Sequence, residues 1–146
     1  MTTNNKIQFS FYELSLLDFL RWSHPEKAAD IAFIKSRAEA AAEMYTEAFE
    51  NGDTIPECCE IAMQALFQGL LFSKLDMLCF VLEEEFWREV NPLDARPVAR
   101  RLLPFCESIF GKYQFHDDFT FSAEYFDLYT ELVGVLQLKL ENDGSL

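Results

Sequence analysis

An all-α fold is predicted: a compact single-domain bundle of about six helices with an extended aromatic strap before the last one. Three observations carry it. Apolar residues recur at three- and four-residue spacing along nearly the whole chain, pairs of the S/T-x-x-E kind open the apolar runs, and Gly, Pro and Asn punctuate at short intervals instead of gathering in linkers. No internal repeat or low-complexity tract interrupts the pattern. At 146 residues, the chain is expected to form one domain, 1–146, burying on the order of 70% of its unfolded surface.

Ser10 and Glu13 form a capping box, with Phe9 and Leu14 at staple spacing, so the first helix runs from Phe11 to about Trp22. "SHPEK" then turns the chain. Asp30 caps a long, alanine-rich second helix that Asn51 and Gly52 close. Thr54 and Glu57 make another box, with Pro56 in the first turn, opening a third helix to about Leu70. Ser73 opens a fourth to about Val90. A fifth starts at Asn91 and Pro92, or at Asp94 ahead of Pro97, and Pro104 kinks or interrupts it before Gly111. "YQFHDDFTF" alternates aromatic and polar residues, which predicts an extended strap pinned by Tyr113, Phe115, Phe119 and Phe121. Ser122 caps the last helix to about Glu141.

A 50% apolar composition with 15 Phe is that of a folded chain despite a net charge of −13. The start, "MTTNNKIQFSFYE", lacks a basic segment followed by an apolar run, and no stretch approaches about 18 apolar residues, so a cytoplasmic protein without a membrane span is expected. The cysteines (Cys58, Cys59, Cys79, Cys106) are then expected to stay reduced. Only 12 basic residues face 25 acids, an excess that opposes phosphate contact, so direct nucleic-acid binding is not expected.

The stretch most like chemistry is "PECCEIAMQALFQG". Projected on a helix, Cys59, Met63, Leu66 and Leu70 share the face opposite Glu57, Glu60, Gln64 and Gln68, so Cys59 is expected to point inward. Cys58 falls in line with Ala62, Ala65 and Gly69, a row of small residues that lets another helix approach closely. Adjacent carboxylates disfavour a thiolate, and neither Cys79 nor Cys106 has the C-x-x-C companion a zinc site wants. The expectation is packing, with no metal and no cofactor.

His24, and His116 followed by Asp117 and Asp118, are the residues an enzyme would use, although nothing in the sequence brings them together. There is no Gly-rich phosphate loop, G-x-S-x-G elbow or H-E-x-x-H helix. A non-enzymatic protein is the reading, with a small enzyme built on His116, Asp117 and Asp118 as one alternative.

Charge segregation says more. Residues 38 to 87 hold eleven acids and one base, Lys74. Within them Glu39, Glu43, Glu47 and Glu50 recur at helical spacing as an acidic ridge, whose plain reading is a solvated face. On the fourth helix, Leu75, Leu78, Cys79, Leu82 and Phe86 make one apolar stripe. Met77, Phe80 and Trp87 project from the opposite side among Asp76, Glu83 and Glu84; that second face is either sandwiched or an aromatic patch for a partner. Arg88, Arg96, Arg100 and Arg101 form the one basic locus, a candidate for pairing with the ridge, for self-association or for anion binding.

The succession "FSFYELSLLDFLRWSHPEKAAD", "FIKSRAEAAAEMYTEAFENG", "ALFQGLLFSKLDML", "RRLLPFCESIFGKY" and "YTELVGVLQLKLEN" resembles the bacterial DUF1896 family over nearly the whole chain. The resemblance implies a compact all-helical domain, often carried on conjugative or other mobile elements of anaerobic gut and oral bacteria, near genes for DNA processing. It supplies no activity or catalytic residue. The leading expectation is an acidic accessory or protein-interaction domain, its partner a basic protein or a second copy of itself. A DNA mimic that occupies the basic channel of a nucleic-acid-processing enzyme is the other alternative.

Overall fold

The computed structural model describes residues 10–146, and among them every regular element is helical. Six α-helices follow one another: α1 (Phe11–Ser23), α2 (Ile31–Glu50), α3 (Ile55–Phe67), α4 (Lys74–Glu85), α5 (Ala95–Phe110) and α6 (Ala123–Asp143). Short 3-10 turns at Pro25–Lys27, Pro92–Asp94 and Phe119–Phe121 precede α2, α5 and α6. No helix among the described residues is long and apolar enough to cross a membrane. Contacts cluster into two compact units, Met1–Gln68 and Gly69–Leu146.

In the first unit the helix starts follow local chemistry. The Glu13 amide donates to Ser10 Oγ at 3.2 Å and the Ser10 amide donates back to Glu13 Oε1 at 3.4 Å. Phe9, the other half of the expected staple, lies outside the described residues. Asp30 Oδ1 accepts from the Phe33 amide at 3.1 Å, and the Thr54 amide donates to Glu57 Oε1 at 2.9 Å while Thr54 Oγ1 caps in return. These contacts satisfy amides that no helical carbonyl can reach. The core is Leu16, Leu17 and Leu20 of α1, Ile34, Ala38, Ala41 and Ala48 of α2, and Cys58, Ala62 and Leu66 of α3.

The most extensive contact in this unit joins α2 and α3, and both helices bury small side chains. Arg37 on α2 completes the seam. Its guanidinium donates to the carbonyls of Leu66 at 3.2 Å and Gln68 at 2.6 Å, placing a cation on the carbonyls that the end of α3 leaves unpaired. The helix stops at Phe67, before the expected Leu70, because the chain turns through Gly69 at φ +80°, a conformation that favours glycine.

In the second unit α4, α5 and α6 surround Leu75, Leu78, Val81, Leu82, Phe86, Ala99, Leu102, Cys106, Phe110, Leu128, Leu132 and Leu136. Phe119 is fully buried among the rings of Phe72, Tyr113, Phe115 and Tyr125. The fourth helix ends at Glu85, short of the expected Val90; the Val90 amide donates to Phe86 O at 2.8 Å in a turn that keeps Phe86 and Val90 buried. Because the turn preserves the burial spacing of a helix, periodicity cannot tell the two apart.

Both expected starts of the fifth helix are used, Asn91 capping the 3-10 turn and Asp94 standing at the N-cap of α5. Pro104 lies on the exposed side inside a helix that continues through it, so it does not interrupt the element. The strap is extended only in part. Its last residues wind into the 3-10 turn Phe119–Phe121, so Phe119 and Phe121 no longer share a side, and Phe121 is 87% exposed rather than pinned.

Candidate functional site

Adjacent cysteines are the first sequence candidate, and the structure reverses their expected roles. Cys58 is fully buried with Ala62 and Leu66, whereas Cys59 is exposed. The inward face of α3 is centred on the small-residue row, because the seam with α2 favours close approach over side-chain bulk. Burial pushes the Cys58 thiol up, reinforced by the nearby Asp53 carboxylate, and Cys58 Sγ donates weakly to the Asp53 carbonyl at 3.7 Å. Cys106 is pushed up to about 11 by burial, and Cys79 is also raised by burial and then by Glu83. These three thiols are held protonated at neutral pH, the opposite of what a nucleophile needs.

Of the His and Asp candidates, Asp117 is bound into the fold. Asp117 accepts the Gly69 amide at 2.8 Å on one carboxylate oxygen and the Leu71 amide at 3.1 Å on the other, so it clamps the chain entering α4. Asp118 is exposed at the start of the Phe119–Phe121 turn, and the exposed His116 ring lies 6.0 Å from that of Phe119. His24 is buried at the end of α1, its Nδ1 3.8 Å from Glu26. Among the described residues no group of three or more His, Cys, Asp and Glu side chains is placed to hold a metal.

The charged surface divides into two kinds. On α2, Glu39, Glu43, Glu47 and Glu50 are all exposed, on the face opposite the buried Ile34, Ala38, Ala41 and Ala48, and among the described residues none of the four is ion-paired. A shallow groove of about 420 Å³ runs along the last three of them, lined by Ala42, Glu43, Thr46, Glu47, Glu50 and Asn51. Met44 and Phe49 flank this strip on either side and are exposed. The arginine locus, by contrast, is engaged within the second unit. Arg96 donates to Asp76 at 2.9 Å, Arg101 donates to the Leu146 carbonyl, and the Arg88 guanidinium stacks 4.9 Å from the Trp87 ring centre. Arg100 is exposed on α5.

On α4 the second apolar face resolves into its parts. Met77 is buried at 4% exposure, which removes it from any exposed patch, while Phe80 at 45% and Trp87 at 55% reach the surface. Trp87 lies in the turn after α4. Beside Phe80 opens a groove of about 300 Å³ floored by Phe72, Met77 and Tyr125 and edged by Leu71 and Thr120. Sequence reasoning did not single out Arg37 on the seam of the first unit, nor, in the second, Asp117 as a clamp or Leu71 and Tyr125 as groove lining, because each meets residues far away in the chain.

These features define an all-helical protein with a net charge of −13, whose Cys58, Cys79 and Cys106 thiols are buried and whose Asp117 carboxylate clamps the backbone while acidic and aromatic side chains face outward. The chain belongs to the family described as a domain of unknown function, DUF1896, whose model matches residues 4–145. It is similar to the protein of the crystal structure titled protein PG0816 from Porphyromonas gingivalis, at 37% identity over 90% of each chain with a TM-score of 0.84. No curated protein matches it.

Proposed function

We propose that the protein is a non-enzymatic protein-interaction domain whose α2 surface takes a basic segment of a partner. The supporting observation is the strip on α2, where the exposed carboxylates of Glu39, Glu43, Glu47 and Glu50 run between exposed Met44 and Phe49. Carboxylates in water steer a basic partner and set its register, and flanking apolar side chains supply area that excludes water from the contact. Like charges one turn apart cost the helix a few tenths of a kcal/mol each, a cost that an incoming cation removes. The exposed Phe80 and Trp87 form a second contact surface in this reading, and a mobile-element accessory acting beside DNA-processing proteins is the setting consistent with it.

The test compares tagged wild type with the Glu43→Gln/Glu47→Gln/Glu50→Gln variant in capture from the native host, followed by light scattering. The reading expects one reproducible basic protein, held by wild type and lost from the variant, with affinity falling steeply between low and high salt. Identical captures by both proteins would sink it. Release of the captured protein by duplex DNA would identify the strip as a DNA mimic, and wild type that dimerises while the variant stays monomeric would identify the partner as a second copy.

A further inference from the structure

We propose that the groove beside Phe80 in the second unit is a docking site for a short amphipathic helix of another protein, one that carries Lys or Arg next to its apolar anchors. This rests on the reading of the chain as an interaction domain and assigns a distinct surface and ligand chemistry. The groove holds about 300 Å³ between the start of α4 and the start of α6, with a buried apolar floor of Phe72 and Met77 and an open rim of Leu71 and Phe80, which are 63% and 45% exposed. Phe121 and Phe126, each next in sequence to a lining residue, are 87% and 75% exposed. Leu71 and Phe80, exposed apolar side chains on the rim of a concave apolar floor, mark an interaction surface rather than scattered surface hydrophobes.

The charged and capping groups at the groove, Asp76 and Ser73, are already used. Asp76 receives the Arg96 guanidinium at 2.9 Å, and Ser73 Oγ accepts the Asp76 amide at 3.0 Å as the cap of α4. With its charged lining group paired and only the Thr120 and Tyr125 hydroxyls left, what the groove chiefly offers is space for apolar anchors. Its charge chooses among apolar partners. Glu83 and Glu84 follow Phe80 by three and four residues and are exposed on the same side of α4, so they set two carboxylates in water beside the Phe80 rim. Lys74, the other nearby cation, is turned to Glu107 at 3.4 Å. A partner helix whose Leu or Phe anchors enter the groove therefore gains from Lys or Arg on its flank and loses from Asp or Glu. Strand addition is not offered, since the described residues contain no sheet edge.

The full chain is titrated with a synthetic helical peptide of Leu, Ala and Lys, its leucines at i, i+4 and i+7, and binding is read by fluorescence anisotropy and by amide chemical shifts. Saturable binding is expected, with shifts at Leu71, Phe80, Thr120 and Tyr125, a loss of about tenfold or more in the L71Q/F80Q variant, and a similar loss when every Lys of the peptide becomes Glu. Both substituted side chains are exposed, and circular dichroism checks that the variant keeps its fold. Undiminished binding by L71Q/F80Q, equal binding of the Glu peptide, preference for a proline-rich peptide, or no binding at millimolar peptide would each overturn the proposal. Shifts confined to α2 and abolished by Glu43→Gln/Glu47→Gln would overturn it too, while leaving the α2 reading intact.

Discussion

Each unit packs three helices, and they do it with different materials. In the first, α2 and α3 meet across a seam of Ala38, Ala41, Ala48, Cys58 and Ala62. In the second, α4, α5 and α6 meet across leucines and the rings of Phe72, Phe86, Phe110, Phe115 and Phe119. A seam of small residues brings backbones close and leaves no room, so it is damaged by enlargement. A core of large residues derives its stability from the apolar area each side chain buries, so it is damaged by truncation. The two tryptophans allow the units to be followed separately, since Trp22 lies in the first and Trp87 in the second.

Truncation in the second unit is the largest expected effect. Phe119→Ala removes a fully buried ring with ring neighbours on several sides and should cost about 3–5 kcal/mol in urea unfolding followed by Trp87. A cost under about 1 kcal/mol would mean that the core does not depend on that ring. Next comes Cys58→Asp, which buries an unpaired charge in the seam and should cost more than about 3 kcal/mol, whereas Cys59→Asp on the exposed side should stay within about 0.5 kcal/mol. Equal tolerance of the two would put the seam elsewhere. Ala62→Leu tests enlargement directly, with a cost of about 1–3 kcal/mol by the Trp22 signal and little change at Trp87.

The smallest effect is in pH. Hydrogen bonds from the Thr54 backbone and then its hydroxyl hold the Glu57 carboxyl below its ordinary value of 4.5, and the Lys112 ammonium followed by the Tyr113 hydroxyl do the same for Glu131 in the second unit. A carboxyl lowered by folding adds stability that is complete above the unfolded value and is lost as pH falls through the folded one. Both units should therefore weaken below about pH 4.5, and Thr54→Ala, which keeps the backbone donor and removes the hydroxyl, should reduce part of that loss at Trp22 only. Tyr113 is the reverse case: its bond to Glu131 pushes it up to about 12 from 10.0, adding stability that is present below pH 10 and lost as pH rises toward 12. Tyr113→Phe should reduce the alkaline loss at Trp87, and an unchanged profile would remove that bond from the account.

What could be read from the chain alone follows the distance over which each feature is decided. The capping boxes of Ser10 with Glu13 and Thr54 with Glu57 were legible because donor and acceptor sit three residues apart. The exposed face of α2 was legible because one helical period settles it. Cys58 and Cys59 were misplaced because the seam's centre is chosen by α2 and not by α3's own polar face. Phe121 was misread because a 3-10 turn and a strand can share the same short alternation. The groove at Phe80 was half visible: Phe80 and Asp76 are on α4, but Thr120 and Tyr125 arrive from more than one helix later.

Asp117 carries a consequence for synthesis. The amides it clamps, Gly69 and Leu71, are made 48 and 46 residues before it. At about 5–20 residues per second, the entry to α4 waits roughly 2–10 s on the ribosome before its carboxylate partner exists. During that interval the start of the second unit is held by nothing from its own far end, while Arg37 already has the carbonyls of Leu66 and Gln68 within reach. A nascent chain stopped just before Asp117 should show the Gly69 and Leu71 amides exchanging freely, and protection would appear only once that residue is added.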